Sequence, residues 1–186
     1  ALLEIVDISM LPIMLLCIAF TAFLWSFTVK EPQDAPQSQK QLEALLPVLK
    51  RPVVSAFFCI EFIMLFAQAP FYSFYSNFLK ANGFSTTSIG FLWSVGVIAE
   101  IIMFAYATFF LKKLSWRVLV SICLLMTGLR FIIAGSFPNS FSAQFLSQTM
   151  HAFSFGLFHM IAMRIIFQNF TSGQQGRGQA LYSTMW

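Results

Sequence analysis

Apolar residues along this chain come in long unbroken blocks, not at the alternating or three-to-four-residue spacing of a half-buried strand or helix. A bilayer core of about 30 Å needs roughly 20 apolar residues in a helix, and the blocks are of that length. Ile8–Val29 carries no charge and predicts span one. The stretch from Lys30 to Pro52 is polar, with Pro32, Pro36 and a Gln37-Ser38-Gln39 run, and predicts a loop. Val53–Leu79 predicts span two, interrupted by Glu61 and Pro70. Beyond a short connection at Gly83–Ser88, Ile89–Leu111, Val118–Phe137 and Phe141–Phe170 predict spans three to five. Gly173-Gln-Gln-Gly-Arg-Gly lacks the Lys-Ser/Thr of a phosphate loop and follows no strand, so it predicts a tight turn, with a sixth span beginning near Gln179. The expected fold is an all-α polytopic membrane protein in three sections: a span at 1–29, a loop at 30–52 and a helical bundle at 53–186. Residue 1 is Ala, and the last segment stops as it turns apolar, so the chain reads as a piece of a longer protein.

Composition agrees. Hydrophobic residues make up 58% of the chain and charged ones only 10%, where a soluble domain carries about 25% charged residues to cover its surface. The 24 Phe face lipid without penalty. Cys17, Cys59 and Cys123 sit in apolar runs without metal spacing, which predicts small buried hydrophobes and no disulfide framework. Glu4 and Asp7 stand where a signal peptide would have a basic region.

The net charge of +4 matters through its placement. Lys30, Lys40, Lys50 and Arg51 lie in the first loop, Lys112, Lys113 and Arg117 between spans three and four, and Arg177 between five and six. These loops fall on one side and hold eight of the eleven basic residues; the opposite side has Lys80 alone. The positive-inside bias puts them in the cytoplasm of a multi-pass protein of a bacterial inner membrane. Within the long loop, Leu42, Leu45, Leu46 and Leu49 recur at helical spacing. Two readings stay open there: a helix lying on the inner membrane surface, or a partly helical linker weakened by Pro47.

Ionisable groups inside the predicted spans carry the chemistry. Glu61, Glu100, Arg130, His151 and Arg164 lie in apolar stretches, with His159 nearer the cytoplasm. A charge at the centre of a bilayer helix costs roughly 2.5–3.5 kcal/mol on insertion scales, so each needs a partner or water. Glu100, Arg130 and His151 fall near the middle of spans three, four and five, where one polar cavity can hold them. Gln148, His151, Phe155 and His159 share an arc of about 80° on span five, and Glu61, Gln68, Tyr72 and Tyr75 one of about 60° on span two. Each face fits a helix lining a water-accessible cavity. Arg164, near a span end, reads as an anchor that snorkels to the interface. The competing reading is a structural pair, such as Glu100 with Arg130, holding the bundle together, and for Glu61 alone that reading is preferred. His151 and His159 are too far apart for the i, i+4 spacing of helix-borne metal ligands. No Ser-His-Asp set is evident. Neither an enzyme, a cofactor, a metal nor a nucleic-acid partner is expected.

Phe91-Leu-Trp-Ser-Val-Gly-Val-Ile-Ala-Glu100, Gln148-Thr-Met-His-Ala-Phe-Ser-Phe-Gly-Leu-Phe-His159 and Gln179-Ala-Leu-Tyr-Ser183 resemble the phenylpropionate permease family of the major facilitator superfamily. The resemblance runs from about Leu45 to Ser183. It implies twelve spans in two halves, with this chain covering about spans six to ten and the start of eleven. The polar loop would then join the halves, and the N-terminal half would be a partner of the bundle. There is a looser similarity to sugar–proton symporters of the lactose permease type, which place a carboxylate on span eight, an Arg on span nine and a His on span ten. Glu100, Arg130 and His151 occupy comparable places. Such permeases have a second carboxylate three residues after the His, whereas this chain has Ser154, so proton transfer does not carry over unchanged.

The activity implied is secondary active transport: proton symport of a small aromatic carboxylic acid such as 3-phenylpropionate. Arg130 is expected to hold the substrate carboxylate in its bidentate fork and to pair with Glu100 in its absence. Glu100 would take up the proton, with His151 as relay and His159 as a further coupling group. Tyr72, Tyr75, Trp93 and Phe155 are expected to stack on an aromatic substrate, with Gln148 beside them. The expected partners are that small molecule, protons, the lipid bilayer and the N-terminal half. A neutral sugar or nucleoside symporter, a drug exporter, and a non-transporting receptor or assembly subunit are the alternatives.

Overall fold

The computed structural model describes residues 11–28 and 45–185, and the chain divides into two compact units, 1–41 and 42–186. In the first, α1 spans Leu11–Ser26. Leu16, Phe20 and Trp25 on it are exposed, which suits a lipid environment. The ends of the predicted span, at 8–10 and 29, and Leu42 lie outside the described residues.

The second unit runs α2 (Leu45–Leu49), α3 (Pro52–Ala81), α4 (Thr86–Lys113), α5 (Trp116–Ser136), α6 (Phe141–Thr149), a π-helical segment (Ala152–Leu157), α7 (Phe158–Asn169) and α8 (Ser172–Met185). Helices α3, α4, α5 and the composite Phe141–Asn169 are each long and apolar enough to cross a membrane. Their bounds meet the predicted spans two to five within a few residues. Ser85, Ser115 and Ser140 start α4, α5 and α6, each accepting a hydrogen bond from the backbone N–H three residues on, the capping that offsets unpaired first-turn donors. Pro52 opens α3, where its missing N–H costs nothing.

Burial separates the spans. Of the composite span's apolar window 61% is buried, against 22–33% in the other three, so Phe141–Asn169 is the central helix of this unit. Phe57, Met64, Met103, Leu119, Phe158 and Ile161 form the main core around it. Phe62, Phe66, Ile101 and Ile132 are exposed, the inverse of what water tolerates and what lipid favours.

Three expectations change. The Gly173–Gly178 turn is helical: α8 begins at Ser172, ahead of Gln179. The Gln174 and Gln175 N–H groups both reach the Thr171 carbonyl, and Gly178 packs so closely on α7 that a Cβ there would lie 3.1 Å from Ile166 and Phe170 atoms. Of the described part of the long loop, Leu45–Leu49 is the five-residue helix α2, and its Val48 is buried in the core. Cys123 is buried as expected, but Cys17 and Cys59 are exposed on apolar faces.

Arg164, expected as an anchor near a span end, has a partner there. Its Nη1 donates to the Leu111 carbonyl in the last turn of α4, neutralising an end that has no intrahelical partner. Replacing Arg164 by Ala is expected to destabilise the folded protein by roughly 1.5–3 kcal/mol, the range for a charged hydrogen bond. Thermal denaturation in detergent checks this.

Candidate functional site

Glu100 on α4, His151 at the start of the π-helical segment and Arg130 on α5 meet, as their depths predict, but not in the expected order. Among the described residues Glu100 pairs with His151, Oε1 to Nε2 at 2.6 Å. Arg130 Nη1 bonds the other ring nitrogen, His151 Nδ1, and also donates to the Ser154 hydroxyl at 2.6 Å. The expected Arg130–Glu100 pair is therefore bridged by an imidazole. A guanidinium only donates, so Nδ1 is the acceptor and the ring proton sits on Nε2, pointed at the carboxylate. A neutral His151 thus joins a cation to an anion, and the set is balanced in charge. That balance is what allows Arg130 to be fully buried without the cost of a lone charge.

The local fold builds this contact. Gly156 lets the fifth span approach α4 at backbone range: a Cβ there would meet Met103 Cβ at 3.3 Å and Glu100 Cα at 3.6 Å. Gly96, one turn before Glu100, makes room for Gln148 and His151, since a Cβ there would lie 2.8 Å from Gln148 Oε1. The π-helical turn at Ala152–Leu157 loosens the backbone hydrogen bonding, and Gln68 from α3 donates to the Ser154 carbonyl at 3.3 Å. π-Helical turns concentrate at functional sites.

Beside the triad lies an open cavity of about 610 Å³, walled by Gln68, Tyr72, Trp93, Glu100, His151 and Phe155 among others. That is within the usual range for small-molecule sites. Tyr72 hydroxyl meets His151 Nε2 at 3.1 Å and its ring stacks with Trp93, centroids 6.1 Å apart. Phe155 stacks on His151 at 5.8 Å. Five of the predicted residues, Tyr72, Trp93, Glu100, His151 and Phe155, are therefore on one wall.

The other four are elsewhere. Arg130 sits behind His151, its guanidinium 4.2 Å from the centroid of Phe71. Its Nε and Nη2, which together form the side-on fork, make no hydrogen bond within the described chain. Tyr75 is buried, stacked on Phe71 and donating to Gln144 Oε1 at 3.2 Å. Gln148 is buried behind Gly96. His159 lies further along the same face, its Nδ1 3.0 Å from the Tyr182 hydroxyl. Ser154, Gln68 and Gln144 support the site without having been singled out for it. Gln68 shared a polar face with Tyr72 in the sequence and Ser154 stood out as the place of a missing carboxylate, but Gln144 gave no signal separable from ordinary helix content.

Buried polar groups shared among helices long and apolar enough to cross a membrane fit a multi-pass membrane protein. The chain belongs to the MFS_1 like family, whose model matches residues 1–186, and so to a family of transporters. It is 28% identical over 180 residues to the probable 3-phenylpropionic acid transporter of Escherichia coli (strain K12), an alignment covering 92% of this chain and 45% of that protein. The chain thus spans less than half the length of this relative. No solved structure matches it.

Proposed function

We propose that this chain supplies part of the C-terminal half of a secondary active transporter of the bacterial inner membrane, one that carries a small aromatic carboxylic acid together with a proton. The observation that carries the reading is the Glu100–His151–Arg130 chain on an aromatic cavity wall. While Glu100 is ionised it holds His151 against Arg130, and its own charge repels an acid anion. Proton uptake by Glu100 removes that partner. The imidazole then turns, and the acid's carboxylate reaches the Nε and Nη2 edge of Arg130, a side-by-side donor pair suited to bidentate capture. Tyr72, Trp93 and Phe155 receive the aromatic ring. Because linkage is reciprocal, the proton favours the acid by the same factor as the acid favours the proton. The relative's name, 3-phenylpropionic acid transporter, supports this substrate class, and the polar stretch at 30–52 takes the place of the connection between halves.

The test is uptake of labelled 3-phenylpropionate into proteoliposomes holding the full-length transporter, with and without an inward proton gradient. Accumulation above the outside concentration only with the gradient, competed by other aromatic acids and not by 3-phenylpropionamide, is the expected result. Equal competition by the neutral amide or by sugars would move the assignment to a neutral solute.

A further inference from the structure

Glu100 stands between two imidazoles. His151 and His159 flank Gly156 on one face of the fifth span, and a Cβ on Gly156 would lie 3.6 Å from Glu100 Cα. The root of the Glu100 side chain is therefore set against the stretch that separates the two rings. Its carboxylate is on His151 at 2.6 Å. Phe155 fills the space between, 5.8 Å from His151 and 6.2 Å from His159 by ring centroids. A phenyl ring carries no exchangeable proton, so it bars direct transfer from one imidazole to the other.

His159 is itself held. Its Nδ1 meets the Tyr182 hydroxyl of α8 at 3.0 Å, and Phe104 of α4 packs edge-on at 6.1 Å. Arg164 on α7 is bonded to the Leu111 carbonyl, Arg130 on α5 to His151 and Ser154, and Glu61 on α3 is fully buried.

We propose that His159, held by Tyr182, is a second station for the transported proton, and that the Glu100 side chain swings from His151 to His159 to deliver it on the cytoplasmic side. This rests on the symport reading above. With Nδ1–H donated to the Tyr182 oxygen, Nε2 keeps its lone pair. The O–H bond of the protonated Glu100 breaks, its electron pair stays on the carboxylate, and a new N–H bond forms at His159 Nε2. The imidazolium then gives that proton to water at the cytoplasmic end, and the Glu100 anion returns to His151 Nε2–H. The Nδ1–H to Tyr182 bond persists in both states, which makes Tyr182 a positioning residue.

The test uses the full-length transporter in proteoliposomes, with two readouts: gradient-driven accumulation, and exchange of internal for external acid, which needs no net proton release. In His159→Gln, accumulation should fall at least about tenfold, the lower part of the range for loss of a positioned acid–base group, while exchange stays within about twofold. Tyr182→Phe should reduce accumulation about threefold, again sparing exchange. Accumulation unchanged in His159→Gln, or exchange lost along with it in folded protein, overturns the second station. Should His159→Gln fail to insert, unchanged accumulation in Tyr182→Phe overturns it instead. A Glu100→Gln control that still accumulates acid uphill means the symport reading itself has failed; a control that does not, beside normal His159→Gln, confines the failure to His159.

Discussion

Glu100→Gln abolishes uphill accumulation and leaves exchange intact. The amide matches the carboxylate in shape but offers His151 Nε2–H only a neutral acceptor in place of the charged one at 2.6 Å. What the amide cannot do is cycle between ionised and protonated forms. It mimics the protonated state permanently, the state in which Arg130 is open to the acid. Binding and reorientation with bound acid therefore continue, while the empty carrier has no proton to release. In proteoliposomes the variant should equilibrate labelled acid, never exceed the outside concentration, and respond to no imposed proton gradient. Uphill uptake that survives removes Glu100 from the coupling.

Arg130→Lys is expected to cost nearly as much as Arg130→Ala, and both to lose exchange as well as accumulation. Arg130 is fully buried, donates to His151 and Ser154, and lies over the Phe71 ring. Lysine keeps the charge but offers a point donor in place of a planar fork. It cannot hold the imidazole with one edge and a carboxylate with the other. Truncating one member of a buried, hydrogen-bonded charge pair costs about 2–5 kcal/mol, and at about 1.4 kcal/mol per tenfold acid binding weakens at least about thirtyfold. Exchange measured against substrate concentration separates this from a folding defect, because the loss then shows as a raised half-saturation concentration. Normal exchange in Arg130→Lys would mean that charge alone suffices and that no bidentate seat forms.

The spans were legible because lipid imposes a composition that local sequence cannot hide, and runs such as Val53–Leu79 and Val118–Phe137 announce themselves by length. The convergence of Glu100, Arg130 and His151 was legible for a related reason: each is costly in lipid, and their depths agree. What remained hidden depends on rotation and packing. Depth alone does not say that His151 stands between the other two, nor that Arg130 ends up behind Phe71 and out of the cavity. Tyr75 and Gln148 share helical faces with cavity residues, yet a neighbouring span covers them, and Gly96 and Gly156 decide how closely it comes. The π-helical turn after His151 has no signature in Ala-Phe-Ser-Phe-Gly-Leu. The start of α8 was missed because Gly173 to Gly178 argues against a helix locally, and packing on Ile166 and Phe170 overrides that.

The most direct measurement is proton uptake on acid binding. Purified full-length transporter in weakly buffered detergent solution is mixed with 3-phenylpropionate at neutral pH, and the external pH is followed with a sensitive dye. The account predicts one proton taken from solution per acid bound, absent in Glu100→Gln, which should still bind the acid. Binding with no proton uptake would contradict it, since the carboxylate would then reach its site while Glu100 stayed ionised against His151.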